Sequence, residues 1–204
     1  MRLLIFASLV LVVLLYCPFA SAQVPPQADT FVNSNAQTTN YGSGTLMNLQ
    51  STEYCFIGFN LTGVPANATV QKAMLRLFLS APSSPGPGAF DVYEIDSLWG
   101  EKTLTWSNMP PLGSSATGGN PVSLGNTSYQ TFVLVDITSL VQKWVNGTVA
   151  NNGIALALTT KTGSYSFDTK EATGTSHPAE LDIVFAGPQG PQGPQGLQGP
   201  TGLT

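Results

Sequence analysis

The chain predicts an all-β protein, an antiparallel β-sandwich of jelly-roll type with one short helix. Three observations carry this. Short runs rich in Val, Ile, Phe, Thr and Tyr alternate with Gly, Pro, Asn and Asp from about residue 28 to 185, the pattern of strands joined by turns. One run, Val70–Ser80, alternates strictly. Ala73, Leu75, Leu77 and Leu79 fall on one face, and Lys72, Met74, Arg76 and Phe78 on the other. A single stretch switches to helical spacing, so there is no βαβ alternation and no parallel sheet to expect.

The elements follow in order. Asp29–Asn33 is the first expected strand, after a Pro-containing leader at Gln23–Gln27. Asn35–Gly44 is a polar loop, then Leu46–Leu49 and Tyr54–Asn60 are strands and Gly63–Ala68 turns the chain. Val70–Ser80 has a fixed register, because a slip of one residue would expose Leu75, Leu77 and Leu79 together. Pro82–Gly88, reading P-S-S-P-G-P-G, is expected to be a surface loop. Phe90–Ile95 is the next strand. Leu98–Pro110 then carries Trp99 and Trp106 ahead of the Gly/Pro/Ser-rich stretch Pro110–Pro121. Each indole can bury on the order of 200 Å². The two rings are either plugs pinning a loop to the sheet or platforms for a sugar ring.

Gln130–Val135 is a strand, and Asp136–Gly147 is the helix. Asp136 or Thr138 is its expected cap, Ile137, Leu140, Val141 and Trp144 form its apolar stripe, and Asn146-Gly147 ends it. Gly153–Thr159, Tyr165–Thr169 and Leu181–Phe185 complete about ten strands.

The two ends of the chain have a different character. Met1–Ala22 has an early cation, Arg2, an apolar run and the triplet Ala20-Ser21-Ala22. That is a secretory signal peptide cleaved before Gln23, which makes the mature protein extracellular. Its apolar run is shorter than the roughly 20 residues of a spanning helix, so no membrane span is expected. Tyr16 before Cys17 argues against a lipid anchor. From Gly187 the chain reads G-P-Q, G-P-Q, G-P-Q, G-L-Q, G-P-T, G-L-T. Glycine at every third position is the requirement of the collagen triple helix, whose axis admits no side chain. Residues 187–204 are therefore expected to join three chains as a homotrimer, and to be a piece of a longer collagen-like segment. Residues 23–186 form the single globular domain between.

Composition narrows the function. Without Arg2, 6 basic side chains face 11 acidic ones, a net charge of −5. Nucleic acid is excluded as a partner, since phosphate neutralisation needs a basic patch. Cys55 is the one cysteine beyond the signal peptide and reads as a buried strand residue. His177 is the lone histidine, and no metalloprotease, nucleophile-elbow or phosphate-loop motif occurs. The nearby carboxylates Asp91/Glu94, Asp96/Glu101 and Glu180/Asp182 read as solvated or capping groups, so the protein is expected not to be an enzyme. Asn60, Asn67, Asn126 and Asn146 satisfy the N-glycosylation pattern, which acts in a eukaryotic secretory pathway.

Several short motifs recur in a fixed order: Ala28-Asp29-Thr30, Asn40-Tyr41-Gly42, Ala73–Leu77, Trp99-x-Glu101 with Thr105-Trp106 and Pro110, Asp136-x-Thr138 with Trp144 and Gly147, Asn152-Gly153, and Thr169-Lys170-Glu171. Together they resemble the DNRLRE domain, carbohydrate-binding module family 96, from Ala28 to about Phe185. The resemblance implies a module that binds an extracellular polysaccharide, of the acidic, alginate-like kind. Many such modules carry a structural Ca²⁺. Asp29 and Glu171 match recurring positions and are the expected ligands, with Asn48 as a third oxygen donor. The expected sugar face is the outward row Lys72, Arg76 and Phe78, where Arg grips a carboxylate and Phe lies against a pyranose. Trp99 and Trp106 are the further candidates. The alternative is a structural or adhesive protein with no glycan ligand.

Overall fold

The computed structural model describes residues 21–84, 87–125 and 128–187. Most of the expected signal peptide and of the collagen-like tail lie outside the described residues. Those described form twelve strands and one α-helix: β1 Ser21–Val24, β2 Pro26–Asn33, β3 Leu46–Leu49, β4 Glu53–Phe59, β5 Val70–Ser84, β6 Gly88–Ile95, β7 Leu112–Ser115, β8 Val122–Leu124, β9 Phe132–Asp136, α1 Thr138–Val145, β10 Ile154–Leu158, β11 Ser164–Asp168 and β12 Glu180–Phe185.

They make two antiparallel sheets. In the first, β5 is the hub, pairing with β12, β11 and β9, while β1 flanks β12 and β3 flanks β11. The second runs β2-β4-β10-β6-β7, with β8 also on β6. Strand alternation explains the core between them. Ala73, Leu75, Leu77 and Leu79 of β5 are all fully buried, as their spacing predicts. They share one cluster with Cys55, Ile57, Phe90, Val92, Ile154 and Leu156 of the second sheet. Each such aliphatic side chain contributes about 1.5–3 kcal/mol on full burial.

The helix stripe is buried as expected, with Leu140, Val141 and Trp144 in the same core. Its start differs from expectation. Ile137 takes the cap position, so neither Asp136 nor Thr138 is the cap residue. Thr138 Oγ1 instead accepts the Ala73 N–H at 2.9 Å, tying the helix to β5, and Asp136 Oδ1 accepts the Thr138 N–H at 3.0 Å. Gly147 has φ +69°, the left-handed stop anticipated after Asn146.

The expected loop Pro82–Gly88 is also corrected. β5 runs on to Ser84, pairing Pro82 with Tyr165 and Ser84 with Ser164 across two register shifts. Proline lacks an N–H, which an irregular ladder tolerates. Three short strands went unforeseen: β1 across the expected cleavage point, β7 in the Gly/Pro/Ser-rich stretch and β8 just after it. β1 pairs Ser21–Val24 with Val184–Leu181. No helix among the described residues is long and apolar enough to cross a membrane.

Candidate functional site

Three surfaces hold the predicted site residues. The first is the outer face of β5. Lys72 Nζ lies 2.6 Å from Asp136 Oδ2 on neighbouring β9. Arg76 is opposite Glu180 of β12, and its guanidinium reaches Glu180 at 2.7 Å and Asp182 at 3.6 Å. Phe78 faces outward, but His177 stacks on it with ring centroids 4.2 Å apart. The exposed ring is Phe132 of β9, opposite Phe78 in register. Phe132 meets Phe78 edge-on at 5.2 Å, lies 5.6 Å from His177, and has Arg76 over its face at 4.5 Å. Leu134, 56% exposed, follows on the same row. Tyr129, Phe132 and Leu134 are three of the four large exposed apolar side chains among the described residues. The β5 row faces outward as its alternation predicts, and Phe132 and His177 lie beside it, two neighbours that sequence reasoning did not bring there. The run F-V-L-V shows no polar alternation, and only the β9–β5 pairing shows which half faces out.

The second surface is the Trp99 loop. Both indoles pack on the outside of the second sheet, over a small cluster of Val32, Phe56, Ile95, Leu104 and Ala155. Trp106 tilts against Tyr54 at 5.1 Å, and Trp99 meets the edge of Phe56 at 5.8 Å. Trp99 Nε1 donates to Asn152 O at 2.9 Å. Both rings pin the loop, and both stay partly exposed.

The third is a part-buried ionic cluster below that loop, with only Asp29 fully enclosed. Carboxylate oxygens of Asp29, Glu101 and Glu171 lie within 4.8 Å of one another. Lys170 Nζ sits among them, hydrogen-bonded to Glu101 and Glu171 and 3.9 Å from Asp29 Oδ1. Glu101 Oε1 also accepts the Asp29 N–H at 3.0 Å, and Asp29 Oδ2 accepts the Lys170 N–H at 2.8 Å. Lys102 lies 3.5 Å from Glu101 and 3.9 Å from Glu171. Burial pushes Asp29 from its ordinary 3.8 up to about 7, against the pull of Lys170. Hydrogen bonds from Lys170 and the Asp29 backbone hold Glu101 below its usual range, overcoming its burial.

Asp29 and Glu171 thus come together as the sequence suggests, with Glu101 as the partner that it did not single out. Asn48 is engaged elsewhere, its Oδ1 accepting from Ser166 Oγ at 2.8 Å. The donor set suits a hard cation: all oxygens, with Asp29 Oδ1 and Glu171 Oε2 buried and without a hydrogen-bond partner among the described residues. Lys170 already supplies a positive charge at their centre.

Local sequence explains the cluster's rigidity. Asn40 Nδ2 donates to Glu101 O at 2.8 Å and Leu104 O at 2.7 Å. Gly42 lies so close that a Cβ would sit 2.1 Å from Glu101 O, and Gly153, at φ +88°, would strike Ile57 O at 2.4 Å. Both positions require glycine.

The fold is thus an all-β sandwich with a partly exposed ring on one sheet face and two tryptophans on a loop over the other. The model of carbohydrate-binding module family 96 matches residues 20–182, and the chain belongs to that family. No curated protein matches it.

The Asp29 shift gives a signed prediction. A carboxyl whose pKa is raised on folding binds its proton more tightly in the native state, so its contribution to stability falls as pH rises. The loss spans roughly pH 4 to 7, from the ordinary 3.8 to about 7. Asp29→Asn stays neutral. Thermal melts should show its stability relative to wild type rising from pH 4 to 7 and level beyond. A flat difference across that window contradicts the shift.

Proposed function

We propose that the protein binds an extracellular polysaccharide across the outer face of β5, β9 and β12. The observation that carries this is the partly exposed Phe132 ring, with Arg76 over it and His177 beside it, on a sheet face of a carbohydrate-binding module. An exposed ring takes the apolar face of a pyranose, while Arg76 and Lys72 offer donors to hydroxyls or carboxylates. An acidic polymer such as alginate must draw Arg76 away from Glu180 and Asp182. The face holds Asp136, Glu180 and Asp182 against Lys72 and Arg76, a balance that favours a neutral polymer.

Calcium enters this proposal with Asp29, Glu101 and Glu171 as its ligands, and Lys170 leaving the centre when it binds. Affinity electrophoresis tests ligand and ion together, in gels containing alginate, neutral β-glucan or neither, with calcium or with chelator. Wild type should be retarded by one polymer, and Phe132→Ala and Arg76→Ala should be retarded clearly less. Equal retardation of all three removes the site from this face. If chelator changes nothing, calcium has no part in binding.

Secretion and trimeric display complete the reading. The glycine period from Gly187 supports three parallel chains presenting three heads, and such multivalency can raise avidity by roughly 10²–10⁴. Six triplets are too few for a stable triple helix by themselves, so sedimentation of the protein with its full stalk should give a trimer, weakened in Gly193→Ala because the axis has no room for a methyl group. A monomer in both, or an unaffected trimer in the variant, contradicts tail-driven assembly.

A further inference from the structure

A cleft of about 310 Å³ opens beside the Trp99 ring, with Gln27, Leu98, Trp99, Glu101, Asn151 and Asn152 in its walls. A second, of about 250 Å³, shares Leu98 and Trp99 with it. Neither touches the outer face of β5. The first cleft is at the lower end of ligand-pocket sizes, room for a sugar ring or two rather than a large ligand.

Its walls combine the groups that sugars need. Trp99 is a rigid, partly exposed platform, fixed through Nε1 to Asn152 O and edge-on to Phe56. Leu98 is 83% exposed on the wall that both clefts share. An exposed Leu beside a half-covered indole is an apolar step over which a sugar chain can pass from one cleft to the other.

Polar groups stand opposite. Gln27 is exposed. A carboxylate can accept about four hydrogen bonds, and the Glu101 Oε1 atom already takes the Asp29 N–H and Lys170. Oε2 has Lys102 at 3.5 Å and room to accept hydroxyls. The amides of Asn151 and Asn152 are anchored to Phe59 O and Ile95 O, which fixes their position on the wall.

Charge decides the ligand class. Glu101 is the sole ionisable residue in the walls of either cleft. The two nearby lysines are taken up by Glu101, Glu171 and Asp29. With no ion in the cluster, a uronate entering here meets a carboxylate whose neighbouring lysines are already paired, whereas neutral hydroxyls donate to that carboxylate. We propose that the paired clefts around Trp99 form a second glycan site, selective for a neutral hexose chain, an inference resting on the reading that this module binds polysaccharide.

Calorimetry of the full chain with a soluble neutral β-glucan tests it. Wild type should release heat, Leu98→Asp and Trp99→Phe should bind about tenfold more weakly, a difference of about 1.4 kcal/mol, and Phe132→Ala should keep this phase. Leu98 is so exposed that its change leaves folding intact, which keeps the test valid if Trp99→Phe misfolds. Wild-type affinity in Leu98→Asp and Trp99→Phe, with loss in Phe132→Ala, overturns the second site and leaves the outer face standing. Alginate retardation without glucan heat overturns the second site too. Binding to neither polymer defeats both readings.

Discussion

The ion cluster at Lys170 is the constraint on which the rest of the molecule depends. Lys170 joins the segment after β11 to Asp29 of β2 and Glu101 of the tryptophan loop. These residues are far apart in sequence, 141 positions between Asp29 and Lys170 and 72 between Asp29 and Glu101. A part-buried cluster of this kind is weak evidence of net stability, since desolvation, greatest at Asp29, opposes the Coulomb gain. What it does supply is position. With Asn40 clamped on the Glu101 and Leu104 carbonyls, it leaves the loop one way to lie, and Trp99 and Trp106 then cover Phe56, Leu104 and Ala155.

That placement separates the two roles of the sandwich. The inner faces of the sheets hold it together through aliphatic burial, led by β5 and β10. The outer face of β5 and the loop over the second sheet carry the exposed rings. Ligand contacts on such surfaces can change without disturbing the core, as binding residues on a rigid scaffold do.

Much of the fold was legible because strand alternation is local. Leu75, Leu77 and Leu79 announce their face, and Leu140, Val141 and Trp144 announce theirs. β1, β7 and β8 were not legible. They are three- and four-residue strands, too short to show an alternation, and are held by pairing with β12 and β6. Pro82 misled for the same reason, because a proline in a strand is tolerated where the ladder is irregular. The site was legible in part. The motifs around Asp29, Asn40, Glu101, Asn152 and Lys170 were visible as a resemblance, yet nothing in their spacing says that they meet. Asn48 was chosen for its donor chemistry, and tertiary contact assigns it to Ser166 instead.

The measurement that bears most directly on the central claim is a glycan array probed with the full chain. A module of this family with an open aromatic face should bind a defined set of polysaccharides and lose that signal when Phe132 and Trp99 are changed together. Absence of binding to every glycan contradicts the account and leaves a structural or adhesive head in its place.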